Sequence, residues 1–248
     1  MELKSVTLPN CGYRVCASSF PETVKWLLDR MEAGKPTAVY ALNPLKIERA
    51  EREEKVKEAL LGAELLIPDG TGVLWAAKKC GCPIPERITG VDLMEKICAA
   101  AAERGYTIFL YGSTDEHLEK AERNLRERYP GIRVGGRQNG YTDDTDAVLR
   151  KINESGAEIL FVAMGSPKQE LFLHKYRHRL PKILLMQGVG GSVDVLSGEV
   201  RRAPRFICRL RLEWLWRILS QPKRLPQLPV LFRFYRRFAS NKIKIGKE

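Results

Sequence analysis

Short apolar runs alternate with longer amphipathic ones through the first 198 residues. The runs at 37–42 (TAVYAL), 64–67 (ELLI), 107–111 (TIFLY), 132–135 (IRVG), 158–163 (EILFVA) and 183–186 (ILLM) are each short and bounded, which predicts strands. Between them, helical spacing predicts helices at about 20–33, 44–60, 71–80, 91–104, 115–128, 143–154 and 168–179. Ser19 is placed to cap the first of these, with Pro21 in its opening turn, and Asp115 to cap the fifth. Parallel neighbours need a crossover, and crossovers are usually helices, so this alternation implies a Rossmann-like α/β fold, a mostly parallel sheet with helices on both faces. The stretch before residue 20 (LKSVTLPNCGYRVCASS) suits a small β-hairpin at the sheet edge.

Charge separates the chain into two parts. Residues 199–248 carry 14 Lys/Arg against 3 Asp/Glu, net +11, which leaves only +1 of the total +12 for residues 1–198. The expected organisation is therefore a Rossmann-like domain over 1–198 and a basic amphipathic helical C-terminal appendage over 199–248. In the appendage Arg205, Arg209, Glu213 and Arg217 fall four apart, beside an apolar stripe of Ile207, Leu210, Trp214 and Ile218. After Pro222, Pro226 and Pro229, Leu228, Leu231, Phe232 and Tyr235 repeat at helical spacing beside Arg233, Arg236 and Arg237. Charge mixed with apolar area suits an anionic membrane surface, while the alternative for 205–220 is packing on the α/β domain or on another subunit. No stretch approaches the roughly 18 to 20 uninterrupted apolar residues of a spanning helix. The N-terminus lacks a basic head followed by an apolar core, so a cytoplasmic location is expected, with the six cysteines as thiols. Cys80 and Cys82 lack a second pair at zinc spacing.

In such a sheet ligands bind beyond the carboxyl ends of the strands. There the chain places Asn43-Pro44, Asp69-Gly70-Thr71-Gly72, Gly112-Ser113, Gly140-Tyr141, Gly165-Ser166-Pro167-Lys168-Gln169 and Gly188-Val189-Gly190-Gly191. Recurrent glycine lets backbone amides approach a ligand closely, which points to a phosphorylated one. No segment supplies GxxxxGK followed by Ser or Thr, and Gly188-Val189-Gly190 lacks the third glycine of GxGxxG. Kinases, ATPases and ordinary dehydrogenases are thereby disfavoured. Nucleotide sugars remain.

The motifs DGTG (69–72), RITGVDL (87–93), YPGIRVGG (129–136), GSPKQE (165–170), GVGGSVDVLSGEVRRAP (188–204) and LEWLWRILSQPKR (212–224) occur in one order along the chain. In that order and spacing the chain resembles the bacterial WecG/TagA/CpsF glycosyltransferases. The resemblance implies transfer of a hexose, typically N-acetylmannosamine or its uronic acid, from a UDP-sugar to a polyprenyl-diphosphate-linked N-acetylglucosamine acceptor. It further implies inversion, and work at the cytoplasmic membrane face in teichoic acid or other surface polysaccharide synthesis. An attacking sugar hydroxyl must lose its proton, so a carboxylate base is useful. Asp69, at a strand's carboxyl end, serves either as that base or as the cap of the helix beginning near Thr71, and the resemblance favours the base.

Further residues carry over from the family one at a time. Asn43 matches a T-x-N turn whose threonine is Ala41 here, and Arg87 matches a substrate-facing arginine. Gln169 and Lys168 are candidates for sugar or phosphate contact, with helix-surface positions as the alternative. Tyr141 and Asp194 are candidates for the uridine, although Val193 stands where the family usually has Phe. Arg217 and Arg224 are candidates for a diphosphate, with Gln227 in place of the next family arginine.

Two other patterns are read as structural. Asp144-Thr145-Asp146 spells a metal-binding DxD but opens a helix, where acidic residues cap and favour the dipole. His174 and His178 have metal-ligand spacing, yet Lys175 replaces the glutamate of HExxH, and Arg177 and Arg179 crowd the pair, which suits surface histidines near a helix C-terminus. No metal or other cofactor is expected. The expected partners are the UDP-sugar, the lipid-linked acceptor and an anionic membrane, with no nucleic acid and with homo-oligomerisation left open. The competing classes are a non-catalytic nucleic-acid-binding α/β protein and a soluble nucleotide-sugar enzyme such as an epimerase.

Overall fold

The computed structural model of the chain describes residues 2–9, 11–200, 207, 216 and 222–239. Eight strands form one sheet in the order β1-β2-β4-β3-β8-β7-β5-β6: β1 (Ser5–Thr7), β2 (Arg14–Cys16), β3 (Thr37–Leu42), β4 (Leu65–Pro68), β5 (Thr107–Gly112), β6 (Arg133–Gln138), β7 (Ile159–Ala163) and β8 (Leu185–Gly188). Only β1 runs antiparallel, as the first arm of the expected hairpin with Ser5 opposite Cys16. The remaining pairs are parallel. All six residues of β3 are buried. A strand covered on both faces is apolar throughout, as TAVYAL is.

The helices divide between the two faces. On one side α1 (Phe20–Glu32), α5 (Gly90–Arg104), α6 (Asp115–Arg128) and α9 (Ser192–Leu196) pack with Val39, Ala41 and Ile67. On the other, α2 (Pro44–Ala50), α3 (Glu54–Leu61), α4 (Thr71–Lys79), α7 (Thr145–Glu154) and α8 (Lys168–Tyr176) pack with Ala38, Tyr40 and Leu42. The chain thus leaves β3 toward one face and its neighbour β8 toward the other. The loops diverge there and open a crevice beyond the strand ends.

Local departures from the expected elements have identifiable causes. The Glu22 carboxylate accepts from the Ser19 backbone N–H at 2.8 Å, so α1 starts where its cap signal places it. The N-cap of α6 is Thr114, not Asp115: its side chain accepts from His117 N–H at 3.3 Å, and Asp115 becomes the first helical residue. The expected helix over 44–60 is two helices, broken at 51–53, which lets Ile47 on one and Val56 and Leu60 on the other reach the same core. Asp144 caps α7 by accepting from Ala147 N–H at 2.8 Å.

A 3-10 turn (Pro222–Gln227) leads into a C-terminal helix, Leu228–Ala239. This helix docks on the α2/α4 side of the domain. Phe234 and Phe238 are fully buried in the same core as Leu8, Tyr13 and Ile47, and Tyr235 meets Trp75 edge-on at 4.9 Å between ring centroids. Arg237 Nε lies 3.0 Å from the buried Glu48 carboxylate. Leu228 and Phe232, on the outward face, remain exposed, as does Leu225 in the preceding turn. The stripe through Arg205, Arg209, Glu213 and Arg217 lies outside the described residues, as does the apolar stripe beside it apart from Ile207. No helix among the described residues is long and apolar enough to cross a membrane.

Candidate active site

The crevice at the β3/β8 divergence holds a cavity of about 760 Å³. Its walls come from the ends of β3, β4, β7 and β8, from the 87–91 segment that leads into α5, and from the C-terminal helix. Asn43, Asp69, Arg87 and Gln169, four of the residues proposed from the sequence, line it together.

Asp69 follows β4 directly. Its backbone N–H donates to Leu42 O at 2.9 Å, which ties it to the end of β3. The N-cap of α4 is Gly70, with φ of +113° and no side-chain cap, so the Asp69 carboxylate is not used as a cap. The left-handed φ is one that glycine adopts without strain. The carboxylate instead meets Arg87 Nη2 at 3.3 Å, and both side chains are about a quarter exposed, at 28% and 23%. A carboxylate held this way on the cavity wall is both oriented and reachable by a ligand.

Asn43 is the N-cap of α2, accepting from Lys46 N–H at 3.0 Å with Pro44 as the first helical residue. Ala41, two residues earlier, also lines the cavity. Gln169 is nearly fully buried, 2% exposed, at the start of α8. Its Oε1 accepts from Gly190 N–H at 2.9 Å and its Nε2 donates to Glu170 Oε1 at 2.8 Å. Lys46 donates to that same carboxylate oxygen at 2.6 Å.

The other proposed residues are placed differently. Lys168 is exposed on α8 and does not line the cavity, because the helix turns its neighbour Gln169 inward instead. Tyr141 is 79% exposed after β6, three strands from β8, outside the cavity lining. Asp194 on α9 also lies outside the lining, although Ser192 and Val195 belong to it. Its Oδ1 accepts from Ser113 Oγ at 3.0 Å and meets His117 Nδ1 at 2.9 Å. Arg217 lies outside the described residues, and for Arg224 only its place in the 3-10 turn is described.

Several lining residues carry no motif of their own. Arg49, Arg52 and Arg233 bring positive charge to the walls, whereas the Lys46 charge is taken up by Glu170, and Pro226, Val230 and Leu231 form an apolar side. Arg49 and Arg52 belong to none of the patterns picked out in the sequence, and Arg233 only to the amphipathic C-terminal repeat. Their common direction appears only once α2 and the C-terminal helix pack side by side. His174 and His178 are exposed, and no group of three or more His, Cys, Asp or Glu side chains is arranged for a metal among the described residues. The five described cysteines are free thiols; burial pushes Cys11 up to about 12 and raises Cys80, Cys82 and Cys98 as well, which disfavours the reactive thiolate form.

Comparison with known proteins identifies the chain's relatives. The chain is 36% identical over 194 residues to an N-acetylglucosaminyldiphosphoundecaprenol N-acetyl-beta-D-mannosaminyltransferase of Bacillus spizizenii, covering 78% of this chain and 75% of that protein. A protein of the same name from Bacillus subtilis is 33% identical over 194 residues, covering 77% and 75% respectively. The description "Glycosyl transferase WecG/TagA/CpsF family" matches residues 8–248, nearly the whole chain. With an acidic residue at the end of β4, a glycine loop after β8 and this extent of similarity, the chain belongs to the WecG/TagA/CpsF family of glycosyl transferases.

Proposed function

We propose that this enzyme transfers N-acetylmannosamine or a closely related hexose from a UDP-sugar to a polyprenyl-diphosphate-linked N-acetylglucosamine acceptor, with inversion. The observation that carries the reading is the Asp69–Arg87 pair on the wall of a cavity formed by the diverging ends of β3 and β8. Both relatives' names specify this acceptor and a beta-linked product, which attack opposite an alpha-linked leaving group would give.

In the proposed reaction the Asp69 carboxylate takes the proton from the acceptor hydroxyl as that oxygen attacks the anomeric carbon. The bond to UDP breaks, and the leaving diphosphate gathers negative charge. Arg87 orients the carboxylate, while Arg49, Arg52 and Arg233, which line the same cavity, supply a positive field for the diphosphate. Charge stabilisation is assigned to these side chains and to no metal, because Asp144 of the DxD sequence is engaged as a helix cap. Asp194 and Tyr141 remain our candidates for the nucleoside, and Arg217 and Arg224 for the lipid-linked diphosphate.

Attachment to the cytoplasmic membrane face follows from the same assignment. Leu225, Leu228 and Phe232 are exposed beside Pro226, Val230 and Leu231 of the cavity wall, so an inserted apolar rim would bring the lipid-linked sugar to the cavity mouth. The test is a donor screen with a short-chain lipid-diphosphate-N-acetylglucosamine acceptor. UDP-N-acetylmannosamine or a related UDP-hexose should yield a beta-linked disaccharide lipid. A protein that bound no UDP and used none of the donors would refute the assignment, and a preference for oligonucleotides over anionic liposomes would favour the nucleic-acid-binding class.

A further inference from the structure

Beneath the cavity wall lies a buried ion pair that the reaction outlined above does not use. Lys46 on α2 and Glu170 on α8 meet at 2.6 Å with side chains 7% and 0% exposed. Taking two charges out of water is costly and is repaid only by good geometry and further hydrogen bonds, so such a pair is weak evidence for stability. One further bond is present, from Gln169 Nε2 to the same Glu170 Oε1. Glu170 Oε2 is buried without a hydrogen-bond partner.

The consequence falls on the polarity of the Gln169 amide. A glutamine amide can turn over and exchange its acceptor for its donor at little cost unless its partners forbid it. Here both partners forbid it. The Gly190 N–H can only donate, so it requires Oε1, and the carboxylate held by Lys46 is an acceptor, so it requires Nε2. Gly188 completes the clamp, since a Cβ there would fall 2.7 Å from Gln169 Nε2. An amide nitrogen carries two hydrogens and Glu170 takes one. Gln169 lines the cavity beside Gly188 and Gly190.

We propose that Lys46 and Glu170 are positioning residues whose buried pair fixes the Gln169 side chain as a hydrogen-bond donor toward an oxygen of the bound sugar nucleotide. This rests on the proposed transferase reading. It adds that the polarity of the Glu170 acceptor matters, beyond the filling of space or the charge of the pair.

Two neutral double variants separate these contributions. Lys46→Met with Glu170→Gln keeps an acceptor oxygen for Gln169, whereas Lys46→Met with Glu170→Met keeps similar volume and removes it. The first should hold kcat/KM within about 10-fold of wild type, and the second should lose about 50-fold or more, mainly through a higher KM for the donor, at closely similar Tm. Equal activity of the two would overturn the proposal. A charge-conserving exchange, Gln169→Glu with Glu170→Gln, guards against a double variant that fails to fold. It retains acceptance from Gly190 N–H and from residue 170 but leaves no donor toward the cavity, so UDP affinity measured by calorimetry should fall at least 10-fold at near-native Tm. Native UDP affinity in that variant would likewise overturn the assignment. Wild-type protein assayed in parallel separates the two failures: loss of UDP binding there would count against the transferase reading, not against the clamp alone.

Discussion

Asp69 illustrates what a single position contributes and how it is tested. Gly70 takes the cap of α4, which frees the Asp69 carboxylate to face Arg87 on the cavity wall. Asp69→Asn keeps the size and hydrogen-bonding capacity of the side chain while removing its basicity. Turnover should fall by about 10²- to 10⁴-fold, the usual contribution of a general base, with UDP affinity and Tm nearly unchanged. A kcat within a few-fold of wild type would show that the proton goes elsewhere. Asn43 contributes differently, since its side-chain oxygen accepts from Lys46 N–H as a helix cap, which fixes the side chain and leaves its amide nitrogen and a second oxygen lone pair for a ligand.

At the level of elements, the site depends on how closely α4 approaches α2. A Cβ on Gly72 would fall 2.5 Å from Pro44 Cγ and 3.2 Å from the Tyr235 hydroxyl. Gly72→Ala should therefore push α4 away from both α2 and the C-terminal helix and cost about 1–3 kcal/mol, the range for overpacking, read as a lowered urea midpoint. An unchanged midpoint would mean that these helices shift freely. Helix α7 gives a contrasting case. Asp144→Ala should cost about 1 kcal/mol by loss of a cap, yet leave transfer activity intact, and transfer by either protein should survive added EDTA. Activity that a chelator removes and Mg or Mn ions restore would return Asp144 to a metal-binding role.

For the whole molecule, the segment 199–248 is distinct in charge, yet its described helix, Leu228–Ala239, is not held apart in packing. Phe234 and Phe238 are fully buried in the core of the α/β domain, and Arg237 reaches Glu48 on the helix that Asn43 caps. Phe238→Ala should destabilise the protein by about 3–5 kcal/mol, as for other buried Phe→Ala changes, measurable by denaturant titration. The opposite face should behave oppositely. Replacing Leu228 and Phe232 with Ser should leave stability within about 0.5 kcal/mol, typical of surface substitutions, while weakening binding to anionic liposomes. Raising salt should weaken wild-type binding only in part, since screening acts on the arginines and not on the inserted apolar side chains. Wild-type affinity for liposomes in the Ser variant would move the membrane contact to another surface.

Hydrophobic periodicity alone determined the fold class, because strand and helix spacings are local and each apolar run is long enough to declare its type. The β3 strand has the expected limits, and the edge hairpin is present. Loop chemistry likewise marked Asp69 and the loops that hold Asn43 and Gln169, since glycine and charge at strand ends are visible without neighbours, whereas Arg87 entered only through the family resemblance. Sheet order is not local. Placing β3 between β4 and β8 brings positions 43, 69, 169 and 190 to one cavity, and nothing in their spacing encodes that. Lys46 and Glu170, 124 positions apart, look like ordinary helix charges until α2 and α8 bury them against each other. The C-terminal helix shows the same limit: its sequence is amphipathic, but only packing on α2 and α4 decides that Phe234 and Phe238 face the core while Phe232 faces outward. An apolar stripe specifies burial, and the tertiary structure specifies against what.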